Sequence, residues 1–203
     1  MLDDARLYFV TGARPDLEEL LVAACEGGVD VLQLREKGST DDEVVAAGRV
    51  FRRVADDAGA LFVVNDRADL ALRCEADGVH VGQDDLPVAE VRELVGDEMI
   101  VGLSAHTPAQ IAAAAGADYL GIGPVFATPT KEGAQSFGLA LVREAARLST
   151  VPWFAIGGID HSTLEEVVAA GATRVAVVRA IAAAPDPRAA ARALRSALAA
   201  AAR

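Results

Sequence analysis

The chain has 203 residues, 52% hydrophobic and 4% aromatic, with a formal net charge of -11. That size and apolar content suit one soluble domain whose core is packed mainly by Ala, Val and Leu. The acidity argues against nucleic acid or an anionic membrane as partner, so an anionic ligand needs a local basic pocket.

Apolar strands alternate with amphipathic or Ala-rich helices along the chain. A first strand is predicted over 7–11 and its helix over 16–26; a second strand over 29–34 and a helix over 41–58. A third strand spans 61–65, with a short helix over 68–74; a fourth spans 78–81, with a helix over 88–95. The fifth pair is 100–104 and 108–115, and the sixth strand, 119–122, leads through a long loop to a helix over 139–148. The seventh pair is 152–156 and 163–170; the eighth strand is 174–178, and a helix over 187–202 closes the chain. Gly28-Val29-Asp30, Gly116-Ala117-Asp118 and Gly171-Ala172 recur at helix-to-strand joints, where Gly is a natural helix C-cap.

Repeated βα units imply parallel strands with helical crossovers. Eight of them predict an α/β fold, a single (β/α)8 TIM barrel over 1–203, with a doubly wound open sheet as the alternative. Cys25 and Cys74 stand far apart in segments that read as helical, which predicts buried reduced thiols rather than a disulfide framework or a zinc site. The N-terminal MLDDARLYFV lacks the pattern of a secretory signal, and no uncharged run approaches membrane-spanning length, so the expected location is cytoplasmic.

In a barrel of this kind, ligands bind at the C-terminal ends of the strands. The polar residues collect there: Gln33, Arg35 and Lys37 at alternating positions at the end of strand two; Asn65-Asp66 after strand three; Gly82-Gln83-Asp84-Asp85 after strand four; Ser104-Ala105-His106 after strand five. Strand six leads into Gly123-Pro124-Val125-Phe126-Ala127-Thr128-Pro129-Thr130-Lys131, strand seven into Gly157-Gly158-Ile159, and strand eight into Val178-Arg179-Ala180. Glycine turns after the last two strands are where such barrels bind phosphate. Arg35, Lys37 and Lys131 supply three cations, and Asp66 with Asp85 suits Mg²⁺, which shares substrate phosphate oxygens. A salt bridge to Arg67 or a helix cap is the alternative for Asp66, and a cap before Pro87 the alternative for Asp84 and Asp85, with Asp84 facing outward. Thr128, Thr130 and Ser104 add hydroxyls. The residues therefore predict two phosphate sites, a diphosphate with metal on one side and a monophosphate on the other. His80 reads as a packed inter-strand residue, His106 as structural near the rim, and His161 as a cap or exposed. No Ser-His-Asp or Cys-His arrangement is visible in the spacing.

These motifs resemble the thiamine-phosphate synthase family: LQLREK (32–37), VNDR (64–67), GVHVGQDDLP (78–87), GLSAHT (102–107), GIGPVFATPTKEGA (121–134) and IGGI (156–159), over most of the chain from 7 to about 181. The resemblance implies a Mg²⁺-dependent transferase that joins a hydroxymethylpyrimidine diphosphate to a thiazole phosphate, or its carboxylated form. Pyrophosphate leaves and a pyrimidinylmethyl cation is captured by the thiazole nitrogen, giving thiamine phosphate. It implies that Gln33 bonds the aminopyrimidine, that Arg35, Lys37, Asn65 and Lys131 hold the diphosphate, and that Asp66 and Asp85 bind Mg²⁺. Ser104 would contact the leaving pyrophosphate or the pyrimidine amine. Arg35, Lys37, Ser104 and Lys131 would carry the catalysis. Thr128 and Thr130 would receive the thiazole, and Gly158 with Val178-Arg179 its phosphate. Two positions depart from the family pattern. The first strand ends Val10-Thr11-Gly12 without the usual Asp, and the strand-eight turn has Arg179 where Ser is usual. The competing readings are a thiazole tautomerase-like isomerase, another phosphate-binding barrel enzyme, or a non-catalytic phosphate-ligand module. The expected partners are small molecules, with no nucleic acid and no membrane; a homo-oligomer is left open. The loop from Gly123 to Gly138 is expected to act as a mobile lid.

Overall fold

Eight parallel strands pair in chain order and the last pairs with the first, which closes a barrel. The computed structural model describes residues 2–127 and 136–201. The strands are β1 (Leu7–Thr11), β2 (Val31–Leu34), β3 (Leu61–Asn65), β4 (Gly78–Val81), β5 (Ile100–Ala105), β6 (Tyr119–Ile122), β7 (Trp153–Ile156) and β8 (Val175–Val177). The helices are α1 (Leu17–Glu26), α2 (Asp41–Ala58), α3 (Ala68–Arg73), α4 (Val88–Val95), α5 (Pro108–Ala112), α6 (Gly138–Leu148), α7 (Leu164–Ala169), α8 (Arg179–Ala182) and α9 (Pro187–Ala201). The fold is a (β/α)8 TIM barrel, and the open-sheet alternative falls with the β1–β8 pairing.

Successive strand residues point to opposite faces. Tyr8, Val10, Val31, Leu61, Val63, Tyr119, Phe154 and Ala176 form a buried cluster inside the barrel. Their neighbours Leu7, Phe9, Leu32, Leu34, Phe62 and Val64 belong to a second core between barrel and helices. Both strand faces are therefore apolar, as in a fully covered parallel sheet.

Local signals set the boundaries. Thr40 caps α2: its hydroxyl accepts from the Glu43 N–H at 3.3 Å while the Glu43 carboxylate accepts from the Thr40 N–H at 2.8 Å. Gly59 ends the same helix in the left-handed conformation at φ 66°. Strand β2 starts two residues later than expected, because the Val29 N–H still bonds the Ala24 carbonyl at the end of α1. The short helix α8 has no counterpart in the sequence reading; four residues are too few to show a period. Cys74 is buried just past the end of α3 rather than within it, and Cys25 is half-buried on α1; both are free thiols. Burial, helped by Asp30, pushes the Cys25 thiol up to about 12. Among the described residues, no helix is long and apolar enough to cross a membrane.

At the N-terminal end of the barrel one device repeats three times. Asp30 accepts the Arg6 and Leu7 N–H groups at 2.7 and 2.9 Å, Asp77 accepts the Phe62 N–H at 2.7 Å, and Asp118 accepts the Val101 N–H at 2.7 Å. Each carboxylate also pairs with an arginine from a helix: Arg195 of α9, Arg52 of α2 and Arg92 of α4 respectively. Each aspartate thus satisfies the entry to an odd-numbered strand and fixes a helix to it.

Candidate active site

A cavity of about 650 Å³ opens at the C-terminal ends of the strands. It is bordered by Gln33, Arg35, Lys37, Asn65, Asp66 and Asp85 from the ends of β2 to β4, by Ser104 of β5, and by Gly158, Val178 and Arg179 after β7 and β8. Thr128, Thr130 and Lys131, together with the rest of 128–135 in the loop expected to form a lid, lie outside the described residues. The described ends of that loop are joined by bonds from the Phe137 N–H to the Pro124 carbonyl and from the Gly138 N–H to the Val125 carbonyl, at 2.9 and 3.0 Å.

The cationic side begins where β2 ends. The Arg35 N–H bonds the Thr11 carbonyl at 3.0 Å, so the chain is held to β1 as it leaves the barrel. Glu36, between the two cations, is occupied elsewhere: it accepts from the Ala13 N–H and from the Ser39 hydroxyl. It therefore leaves Arg35 and Lys37 to the cavity.

Asp66 sits opposite in an unusual conformation, φ 64°, with its N–H bonded to the His80 carbonyl at 2.7 Å. A non-glycine residue held in this region is a strained position of the kind that clusters at functional sites. The salt bridge considered for it does not form. Arg67 pairs with Asp41 and Asp69, at 3.1 and 2.6 Å. Nor does Asp66 cap α3, whose N-cap residue is Arg67. It faces Asp85 instead. Burial first, then a hydrogen bond and like charge from Asp85, push the Asp66 carboxyl up to about 6, against the pull of Lys37 and Arg35. Asp85 also closes its own turn by accepting the Gly82 N–H at 2.7 Å. That turn brings Asp84, exposed but expected to face outward, to the border of the same cavity.

Two adjoining carboxylates that repel one another are a natural seat for a divalent cation. Among the described residues there is no group of three or more His, Cys, Asp or Glu suited to a metal. A two-carboxylate seat fits Mg²⁺, which takes few protein ligands and fills its shell with water and phosphate oxygens.

Gly157 and Gly158 have φ of 105° and 65°. A Cβ at Gly157 would lie 2.5 Å from the Cβ of Pro124, and one at Gly158 would lie 2.7 Å from the Cβ of Phe126. The pair thus also lets the loop after β6 bond to β7, through the Val125 N–H to Ile156 and the Phe126 N–H to Gly157, both at 2.9 Å. Arg179 is exposed at the cavity border, and α8 behind it is braced by Arg14, which bonds the Ala182 carbonyl at 3.0 Å.

The spacing gave no sign of a Ser–His contact, yet the structure contains one: His80 Nε2 lies 3.0 Å from Ser104 Oγ. His80 Nδ1 lies 3.0 Å from the hydroxyl of Tyr119, whose other partner is the Tyr8 hydroxyl at 2.8 Å. Gln33, 5% exposed, donates its amide N–H to Tyr8 at 2.8 Å. Glycines on neighbouring strands make room for this row. A Cβ at Gly102 would lie 2.2 Å from the Tyr119 ring and 2.5 Å from His80 Nδ1, and one at Gly121 would lie 3.1 Å from the His80 ring. Burial pulls the His80 pKa down to about 4, and raises those of both tyrosines. Sequence reasoning placed His80 correctly between strands and passed over Tyr8 and Tyr119, which sit in otherwise apolar strands. Their usable signal is the register: Tyr8 and Gln33, His80 and Ser104 all fall on inward positions. His106 bonds the Gly123 carbonyl and stacks on Phe137, 5.7 Å between centroids, while His161 is exposed.

The sequence profile of the family described as "Thiamine monophosphate synthase" matches residues 7–181. A thiamine-phosphate synthase of Gloeobacter violaceus is 54% identical over 185 residues; the match covers 90% of this chain but 54% of that protein, so the chain spans about half of it. One from Mycobacterium sp. (strain KMS) is 50% identical over 212 residues, covering 97% of this chain and 94% of that one. Among solved structures, thiamine phosphate pyrophosphorylase from Pyrococcus furiosus superposes with a TM-score of 0.89 at 33% identity, covering 98% of both chains.

Proposed function

The chain belongs to the thiamine monophosphate synthase family, and from that premise we propose how this chain's own residues carry out a synthase reaction. It is a transferase of thiamine biosynthesis. Its substrates are a hydroxymethylpyrimidine diphosphate and a thiazole phosphate, and its products thiamine phosphate and pyrophosphate. The isomerase and non-catalytic alternatives gain no support, since the sequence relatives are named as thiamine-phosphate synthases and the solved structure as a thiamine phosphate pyrophosphorylase.

One observation carries the assignment of residues: a pair of cations and a pair of adjoining carboxylates from the ends of β2 to β4 border one cavity together with the glycine turn after β7 and the Val178-Arg179 turn after β8. Arg35, Lys37 and Asn65 hold the diphosphate, joined by Lys131. Gly158 and the Val178-Arg179 backbone hold the thiazole phosphate, and Thr128 and Thr130 receive the ring. Mg²⁺ held by Asp66 and Asp85 would add positive charge beside the leaving diphosphate. When the C–O bond breaks, its electron pair leaves with pyrophosphate, and the positive charge of Arg35 and Lys37 stabilises the charge that builds there. The lone pair of the thiazole nitrogen then forms the C–N bond to the pyrimidinylmethyl cation. Two phosphate anchors, one after β2 and β3 and one after β7 and β8, hold the partners in line for that step. The chemistry needs no protein nucleophile.

An end-point assay with both substrates, with Mg²⁺ or with a chelator, tests this. Thiamine phosphate and pyrophosphate are expected only with the metal. No product at saturating substrates would overturn the proposal.

A further inference from the structure

We infer that Tyr8, Tyr119 and His80 are positioning residues that orient Ser104 as a hydrogen-bond donor toward the leaving diphosphate and Gln33 as an acceptor toward the pyrimidine amine. This rests on the reading above and adds to it a fixed order of protons across the barrel.

The order follows from counting donors. Gln33 Nε2 carries only hydrogens, so the Tyr8 hydroxyl accepts at 2.8 Å. Tyr8 then places its own hydrogen on its other partner among the described residues, the Tyr119 oxygen, at 2.8 Å. Tyr119 in turn donates to His80 Nδ1 at 3.0 Å, which must therefore be unprotonated. The imidazole carries its hydrogen on Nε2 and donates it to Ser104 Oγ at 3.0 Å. A doubly protonated ring would leave one tyrosine hydrogen with no acceptor, so the chain holds His80 neutral. Each internal member is used once as acceptor and once as donor.

The two ends are left polarised. Among the described residues Ser104 Oγ has no other bonding partner, and its own hydrogen is free for the cavity. At the far end, Gln33 has spent an N–H on Tyr8 and keeps its carbonyl oxygen. Both ends gain strength as the bond breaks. The leaving oxygen becomes more negative and takes a stronger bond from Ser104, while the amine of a developing pyrimidinylmethyl cation becomes a better donor to Gln33. The same order explains why the Ser–His contact is not a nucleophile with its base: Nε2 already holds a proton and Nδ1 is occupied.

The first test is ¹⁵N NMR of histidine-labelled protein at neutral pH, with His80 assigned by its loss in His80→Gln. A protonated Nε2 and bare Nδ1 are expected; the opposite tautomer would mean that the chain runs the other way, and would overturn the inference. The second is a double-mutant cycle on kcat between Tyr119→Phe and Ser104→Ala. Tyr119→Phe is expected to lower kcat about tenfold, the worth of one hydrogen bond, without changing the KM for the thiazole phosphate, and to cost clearly less when Ser104 is already Ala. Equal loss in both backgrounds, or no loss, would overturn it. If the parent protein makes no thiamine phosphate, it is the synthase reading that fails, and the NMR result still decides the proton order.

Discussion

The aspartates at the two ends of this barrel are held in opposite ways. At the N-terminal end Asp30, Asp77 and Asp118 each accept a strand N–H and an arginine, so every charge there is paired. At the C-terminal end Asp66 and Asp85 face one another; the neighbouring Arg67 is taken by Asp41 and Asp69. The first arrangement lowers the energy of the fold. The second raises it and holds charge ready for something that the fold itself does not supply. Residue type is identical at both ends, and only the partners differ, which is what separates a structural carboxylate from one kept for chemistry.

The sharpest break of this contrast is Asp66→Ala. Activity should fall about 10²–10³-fold, as when one charge-stabilising group is removed, while the melting temperature changes little, because the repulsion from Asp85 that is relieved offsets the strain of Ala at φ 64°. A large loss of melting temperature would show that Asp66 is structural after all. Next comes Gly102→Ala, just beneath the upper rim. Its Cβ would displace both the Tyr119 ring and His80, so a destabilisation of about 3 kcal/mol is expected, read by urea unfolding. Asp77→Ala should behave in the reverse manner to Asp66→Ala. It leaves the Phe62 N–H without its acceptor and Arg52 with Asp56 as its remaining carboxylate, costing about 2 kcal/mol of stability, with kcat unchanged in the assay.

The smallest effect is a pH dependence from His80. Its folded pKa, about 4, lies below the 6.5 of an unperturbed imidazole, so the unfolded chain binds the proton more readily between those values. Stability from this group is fully present above pH 6.5 and is lost as the pH falls toward 4. Discounted for partial exposure, it is on the order of 1 kcal/mol. The difference between parent and His80→Gln in unfolding free energy across pH 4 to 7 reads it directly, and a flat difference would refute it.

The rim of the cavity was legible in the chain because polar residues interrupt apolar strands at their C-terminal ends, and Gln33, Asn65, Asp66, Asp85 and Ser104 all stand there. The row of Tyr8, Tyr119 and His80 was not, since a tyrosine in an apolar strand looks like packing until its hydroxyl is seen to meet another. The Gly-x-Asp joints were visible as punctuation, but the residues that cap the helices are Gly27 after α1 and Ala113 after α5, so Gly28 and Gly116 lie in the turns beyond rather than at the caps. What Asp30 and Asp118 do there depends on an N–H of the neighbouring strand more than fifteen residues away.

The sequence by itself determined the alternation of strands and helices, and hence the barrel, because period and capping are local properties of neighbouring residues. It also determined which residue types line the upper rim. Only the tertiary structure decided which carboxylates are neutralised and which are left facing each other, and in which direction the protons run from Gln33 to Ser104. Those depend on distances between residues on different strands, and closure of the sheet sets them.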